Sequence, residues 1–139
     1  MVEQIGGNHY AGQYQHWDWC IEHELGYLCG TATKYLCRWR SKGGLEDLRK
    51  SRSYVLKMLE LQPRYYGTSS RTTKKVQNDA ARIPGLRHGC PEHHVIWMIA
   101  SAATPNELEL ALKRLDHLID VNTPKDGHPA PFGYTGEDD

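Results

Sequence analysis

Residues 25–61 read LGYLCGTATKYLCRWRSKGGLEDLRKSRSYVLKMLEL, and the spacing of their apolar side chains decides the fold class. Leu25, Leu28, Ala32, Tyr35, Leu36 and Trp39 recur at steps of three and four, which places them on one face of an α-helix from Leu25 to Trp39. Gly43-Gly44 stop that helix. A second helix follows from about Leu45 to Leu61, with Leu45, Leu48, Val55, Met58 and Leu59 inward and Arg49, Lys50 and Lys57 outward. Pro63 ends it, because proline cannot continue the hydrogen-bond ladder.

Toward the N-terminus, MVEQIGGNHYAGQYQ (residues 1–15) predicts an ordered Gly/Tyr loop, since Gly6-Gly7 and Asn8 favour turns. Residues 16–24 predict a short helix with Trp17, Cys20 and Ile21 on one side, interrupted by Gly26. Toward the C-terminus, residues 63–91 read as a polar loop or linker containing GTSSRTTKK (67–75) and the turn Ile83-Pro84-Gly85. Helix resumes near Pro91 and runs to about Ala103. Thr104 and Glu107 then form a capping box, with Pro105 at the first helical position, and open a last helix with a stripe of Leu108, Ala111, Leu112, Leu115, Leu118 and Ile119. Residues 122–139 lack periodicity and read as an extended or disordered tail. No segment alternates with period two. The class is all-α, a small bundle of about five helices, divided into a helical domain (1–62), a linker (63–91), a helical pair (92–121) and a tail (122–139).

The 139 residues are 39% apolar and 24% charged, and no apolar run approaches the length of a membrane span. The Met1-Val2-Glu3 start does not read as a signal peptide. Cys20, Cys29, Cys37 and Cys90 form no CxxC pair and read as small buried hydrophobes in a reducing cytoplasm. The formal net charge of zero hides a split: −4 over residues 1–24, +9 over 25–75 and −5 over 76–139. The basic block suits a phosphate-bearing partner, while the acidic flanks oppose a long polyanion more than a small enclosed one.

The sequence contains no P-loop, no GxGxxG after a strand, no HExxH, no GxSxG, no calcium loop and no paired-carboxylate cluster for two metals. Four features remain. Gly7-Asn8-His9-Tyr10 presents an imidazole and a phenol on a turn, either as a hydrogen-bonding and stacking platform or as a plug between helices. Thr31, Lys34 and Arg38 form one stripe with Arg40 and Lys42 close behind. Cations this close repel one another unless an anion or acids such as Glu22, Glu24, Glu46 or Asp47 neutralise them. His88, Cys90, Glu92, His93 and His94 offer zinc-ligand chemistry, but all within seven residues, and Pro91-Glu92 reads equally as a helix start; no metal is assigned. Thr68 to Lys75 offers hydroxyls and cations that suit either a lid over phosphates or a solvated linker.

The run GGNHY, followed by HWDWCIEHELGYLCGTATKYLCRWRSKGGLEDLRKSRSYVL, resembles a small domain widespread in bacteriophage genomes, the family that includes the nucleotide kinase of coliphage T-seven. The likeness covers about residues 7–61 and falls on Asn8, His9, Tyr10, Gly26, Gly30, Lys34, Tyr35, Arg38, Lys42, Asp47, Leu48 and Lys50, with Thr31 where the family often carries Asn. It implies a nucleotide-kinase-like domain in a phage protein acting in the cytoplasm of an infected bacterium. It also implies one pocket, in which Tyr10 or Trp17 stacks on a base while Lys34, Arg38 and Lys42 hold phosphate. Asp47 would orient a cation or contact a sugar hydroxyl, with Thr31, Tyr35 and Lys50 around them.

Three functions compete. The first is a binding protein that captures a nucleotide, including a cyclic or ADP-ribose-type signalling nucleotide of host immunity, as a sponge and without a cofactor. The second is metal-independent phosphoryl transfer between nucleotides, which the resemblance suggests and which would rest on Lys34, Arg38 and His9 for charge stabilisation. The third is a non-catalytic protein- or DNA-interaction module using the +9 block. The long apolar stripe of the last helix also predicts a homo-oligomer.

Overall fold

The computed structural model describes residues 12–61 and 73–125, so the expectations for Asn8, His9, Tyr10, residues 62–72 and most of the tail lie outside the described residues. The described residues form six helices: α1 (His16–Glu22), α2 (Tyr27–Arg38), α3 (Gly44–Leu61), α4 (Thr73–Ala80), α5 (Pro91–Ser101) and α6 (Pro105–Asn122). Among the described residues there is no strand, and no helix is long and apolar enough to cross a membrane. The all-α expectation holds.

The helix count differs by one because α4 occupies part of the stretch 63–91 that reads as linker. Its face is Val76, Asp79 and Ala80, all buried, at the i, i+3, i+4 spacing that packs against a core. Two of the three are an acid and a small residue, so the apolar signal in sequence is weak. Lys75, the last residue of the polar run read as a lid, is part of this helix and pairs with Glu22 and Asp79.

The inward face of α1 also differs. Trp17 and Ile21 are 55% and 78% exposed, whereas Trp19 and His23 are buried and His16 and Cys20 half-buried. The packed stripe is therefore 16, 19, 20, 23. Hydropathy points to Ile21, but shape and hydrogen bonding select Trp19, whose Nε1–H donates to the Val76 carbonyl at 3.2 Å and ties α1 to α4. At the end of α1 the left-handed residue is Glu24 (φ 52°) rather than Gly26, and Leu25 N–H closes the turn on the Cys20 carbonyl at 2.9 Å.

A single core joins the helices. Leu36, Leu48, Ile96, Ile99, Leu108 and Leu115 are essentially inaccessible to solvent, and each contributes about 1.5–3 kcal/mol of burial. The α6 stripe packs into this core: Leu108, Ala111, Leu115 and Leu118 are buried, and Leu112 and Ile119 lean against them. The chain covers four of these six side chains outright, and Leu112 and Ile119 are half-buried. Thr104 caps α6 as expected, accepting from Glu107 N–H at 3.2 Å.

Polar ties fix the packing further. Glu92, buried at the start of α5, accepts from Trp39 Nε1 at 3.1 Å and from both Nε and Nη2 of Arg40, clamping the end of α2 to α5. Arg52 on α3 reaches Asp116 on α6 at 2.6 Å. The Ser51 hydroxyl donates to the Ala32 carbonyl at 2.8 Å across the α2–α3 interface. All four cysteines are free thiols, with Cys29 buried and the others partly so.

His16 joins α1 to α2. The Thr33 hydroxyl gives its hydrogen to the Cys29 carbonyl at 2.9 Å, so its oxygen accepts from His16 Nε2–H at 2.8 Å. Burial, and then the charge of Lys34, push the imidazole down to about 4. The unfolded ring binds a proton near 6.5, so the neutral ring's contribution to stability is complete above pH 6.5 and falls away as pH drops toward 4. We expect urea unfolding midpoints to decline across that window, and His16→Gln, which retains a donor for Thr33, to flatten the decline.

Candidate functional site

The turn between α2 and α3 builds an open cleft of about 240 Å³ lined by Arg38, Lys42, Gly43, Glu46, Asp47 and Lys50. It begins with chain reversal. Lys42 N–H bonds the Arg38 carbonyl at 2.9 Å, and Gly44 N–H reaches back to the Trp39 carbonyl at 2.8 Å with Gly44 at φ 56°, a conformation glycine adopts without strain. The reversal returns α3 alongside α2 and brings Asp47 against the last turn of α2.

Asp47 is 1% exposed. Its Oδ2 accepts from Arg38 Nε–H at 2.9 Å and from Gly43 N–H at 3.0 Å, and its Oδ1 accepts from Arg38 Nη2 at 3.4 Å. Two side-by-side bonds hold the guanidinium in one orientation. Of the two roles open to Asp47 in sequence, orienting a cation is the one seen. The carboxylate packs so closely on the turn that a Cβ on Gly43 would lie 2.3 Å from it.

Around this anchor stand cations that no acid pairs with among the described residues: Lys42 and Lys50 in the cleft, and Lys34 one turn before Arg38. Tyr35 gathers three of the charges, with Lys34 Nζ, Arg38 Cζ and Lys50 Nζ at 5.1, 5.2 and 5.5 Å from its ring centroid. Glu46, exposed within the first turn of α3, brings the cleft's remaining carboxylate.

Of the residues selected from sequence, the structure thus brings together Arg38, Lys42, Asp47 and Lys50 directly, with Lys34 and Tyr35 beside them. Thr31 commits its hydroxyl to the Tyr27 carbonyl at 2.7 Å, and neither it nor Trp17 lines the cleft. Arg40, adjacent in sequence, turns away to Glu92. Gly43 and Glu46 were not selected. The signal for Gly43 was the diglycine itself, but only the buried Asp47 four residues on explains why a side chain is excluded there.

The other clusters are differently built. His93 is buried with Nε2 at 2.9 Å from the Gln77 carbonyl, His88 stacks edge-on against it and His94 lies on Trp97. These residues form no group of three converging ligand atoms. Glu22, His23 and Asp79 do bring three candidate atoms within 4.8 Å of one another. Asp79, however, already accepts from His23 at 3.0 Å, Lys75 at 3.0 Å and Arg82 at 3.3 Å. Burial pushes the Asp79 carboxyl up, but these donors outweigh it and hold it below the usual range. Cys20, 3.4 Å from His16 Nε2, resembles a nucleophile–base pair, yet burial pushes its thiol up to about 12 and keeps it protonated at neutral pH.

Compared with protein-family models, with curated proteins and with solved structures, the chain matches none. The site therefore rests on its own geometry. Because the Asp47 carboxylate fills the space over Gly43, we expect Gly43→Ala to displace it from Arg38 and lower stability by about 1–3 kcal/mol in thermal unfolding.

Proposed function

We propose that this is a nucleotide-capture protein of the phage type, holding the phosphate of a small nucleotide in the α2–α3 cleft. One observation carries the reading: a buried carboxylate orients Arg38 while Lys42 and Lys50 face the same cleft with no acid paired to them. Surface cations normally find an acid or disperse. Held together by the fold, they create a positive potential that a phosphate relieves, with the guanidinium offering directed donors and the ammonium groups point charges.

Capture suits the site better than transfer of a phosphoryl group. Arg38 is committed to Asp47 through two of its nitrogens, which favours holding an anion in one place. The described groups with histidine or thiol chemistry nearby, His16 and Cys20, bond each other and Thr33 rather than facing the cleft. A sponge for a host signalling nucleotide, of the cyclic or ADP-ribose type, needs only this complementarity. Binding to long nucleic acid fits less well, because the cleft is a local pocket rather than a continuous basic face.

The test is a binding and turnover assay in one. Purified protein is incubated with a nucleotide panel that includes cyclic and ADP-ribose-type species, then heat-denatured, and the released ligand is chromatographed. Recovery of unchanged ligand is the expected result. Conversion of a deoxynucleoside monophosphate and a nucleoside triphosphate into diphosphates would establish the kinase instead, and salt-sensitive DNA binding with no retained nucleotide would sink both. Lys42→Ala with Lys50→Ala should weaken retention at least about tenfold, since each charged hydrogen bond contributes about 1.5–3 kcal/mol, with helical circular dichroism unchanged. Arg38→Ala should also lose retention, but it leaves Asp47 buried without its cation and must be read beside a stability measurement.

A further inference from the structure

The cleft is too small for a whole nucleotide. Its volume of about 240 Å³ lies below the roughly 300 Å³ at which small-molecule pockets begin, so it fits the anionic end of a ligand and leaves the remainder outside. What lies next to it decides what that remainder is.

Along α3, Glu46, Lys50 and Tyr54 recur at steps of four and occupy one face. Along α2, Tyr27, Thr31, Tyr35 and Arg38 follow at steps of four, four and three and likewise share one face. The two stripes meet as a ladder of rings. Tyr35 stacks on Tyr54 with centroids 6.0 Å apart and planes 28° from parallel, and Tyr54 meets Tyr27 edge-on at 6.4 Å. Tyr27 is nonetheless 75% exposed. An aromatic ring held by neighbours and open to solvent is a stacking surface already organised.

From these observations we infer that the Tyr27–Tyr54 pair is the base platform of the site, so that the ligand is a nucleotide anchored by phosphate at Arg38, Lys42 and Lys50 and stacked by its base on Tyr27. The inference rests on the anion-capture reading of the cleft. Helical rise sets Lys50 and Tyr54 about 6 Å apart along α3, a span that a sugar bridges between phosphate and base. Glu46 then has a role. Its carboxylate opposes a bare anion in the cleft, but it accepts from a sugar hydroxyl, so it favours a nucleoside phosphate over inorganic phosphate. The platform also replaces Trp17 as the aromatic partner, since Tyr54 stands one turn from Lys50 on α3 whereas Trp17 belongs to α1.

Calorimetric titration of the full chain with three probes separates the parts: AMP, ribose 5-phosphate and inorganic pyrophosphate. Wild-type protein should bind AMP about tenfold more tightly than ribose 5-phosphate, the difference being the stacked base. Tyr27→Ala should remove that advantage and leave the ribose 5-phosphate affinity unchanged, while Tyr27→Phe, which keeps the ring, restores it. Equal AMP binding by wild type and Tyr27→Ala overturns the platform and leaves the anion cleft standing. Pyrophosphate binding tighter than AMP overturns it as well, since Glu46 and the rings would then contribute nothing. If no probe binds at millimolar concentration, the anion reading fails and the platform with it.

Discussion

A carboxylate that is 1% exposed must be satisfied where it sits, and Asp47 meets that demand at one place only, the turn between α2 and α3. Leaving such a group charged and unpaired would cost several kcal/mol, more than most single contacts in the fold contribute. Its partners are therefore fixed together. Arg38 must end α2 with its guanidinium turned inward, and the turn must present the Gly43 N–H without a side chain in the way. The same constraint sets α3 beside α2, and with it the register in which Lys50 reaches Tyr35 and Tyr54 stacks on it. The site is a by-product of burying one acid.

The neutral total charge has little bearing on this surface. Much of the +9 block is matched by acids from elsewhere: Arg40 with Glu92, Arg52 with Asp116, and Lys75 with Glu22 and Asp79. Arg52–Asp116 and Lys75–Glu22 each join two helices and Arg40–Glu92 ties the turn after α2 to α5, so acids of the flanks act as cross-links, while Lys75–Asp79 lies within α4. Lys34, Lys42 and Lys50 remain outside these cross-links. At physiological ionic strength, charges more than about 8 Å apart are largely screened, so acids pairing elsewhere do not neutralise the cleft.

Periodicity made α2, α3, α5 and α6 legible, because each buries large apolar side chains at helical spacing, among them Leu36, Leu48 and Val55, Ile96 and Ile99, and Leu108 and Leu115. Where buried positions are polar the same reasoning fails. Asp79 conceals the inward face of α4, and Trp19 with His23 conceals that of α1, since neither pattern stands out on a hydropathy scale. The cation stripe was legible too, because steps of three and four need only one helix. The pairing within it was not. Arg38 and Arg40 look alike in sequence, yet one is held nine residues away by Asp47 and the other 52 residues away by Glu92. Glu46 and the Tyr27–Tyr54 pair were missed for the same reason: their roles arise from two helices running side by side, which no single helical period displays.

Two clusters in this chain carry comparable charge and invite opposite conclusions. Around Asp79, one carboxylate receives His23, Lys75 and Arg82, Lys75 continues to Glu22, and Glu22 accepts from the Tyr14 hydroxyl at 2.8 Å. Arg82 also covers the Tyr14 ring at 3.9 Å. Each charge there has a counter-charge, so a bound ion would have to break bonds before making any. The α2–α3 cleft is the reverse case. Its one strong pair, Arg38 with Asp47, organises the site, while Lys42 and Lys50 keep repelling each other and Arg38. An anion entering the cleft removes that repulsion, and whatever binds the native state more tightly than the unfolded chain stabilises it by mass action. What distinguishes the cleft is thus positive charge that the fold holds together without a paired acid and that an anion would offset, whereas the Asp79 cluster, fully paired, reads as a staple.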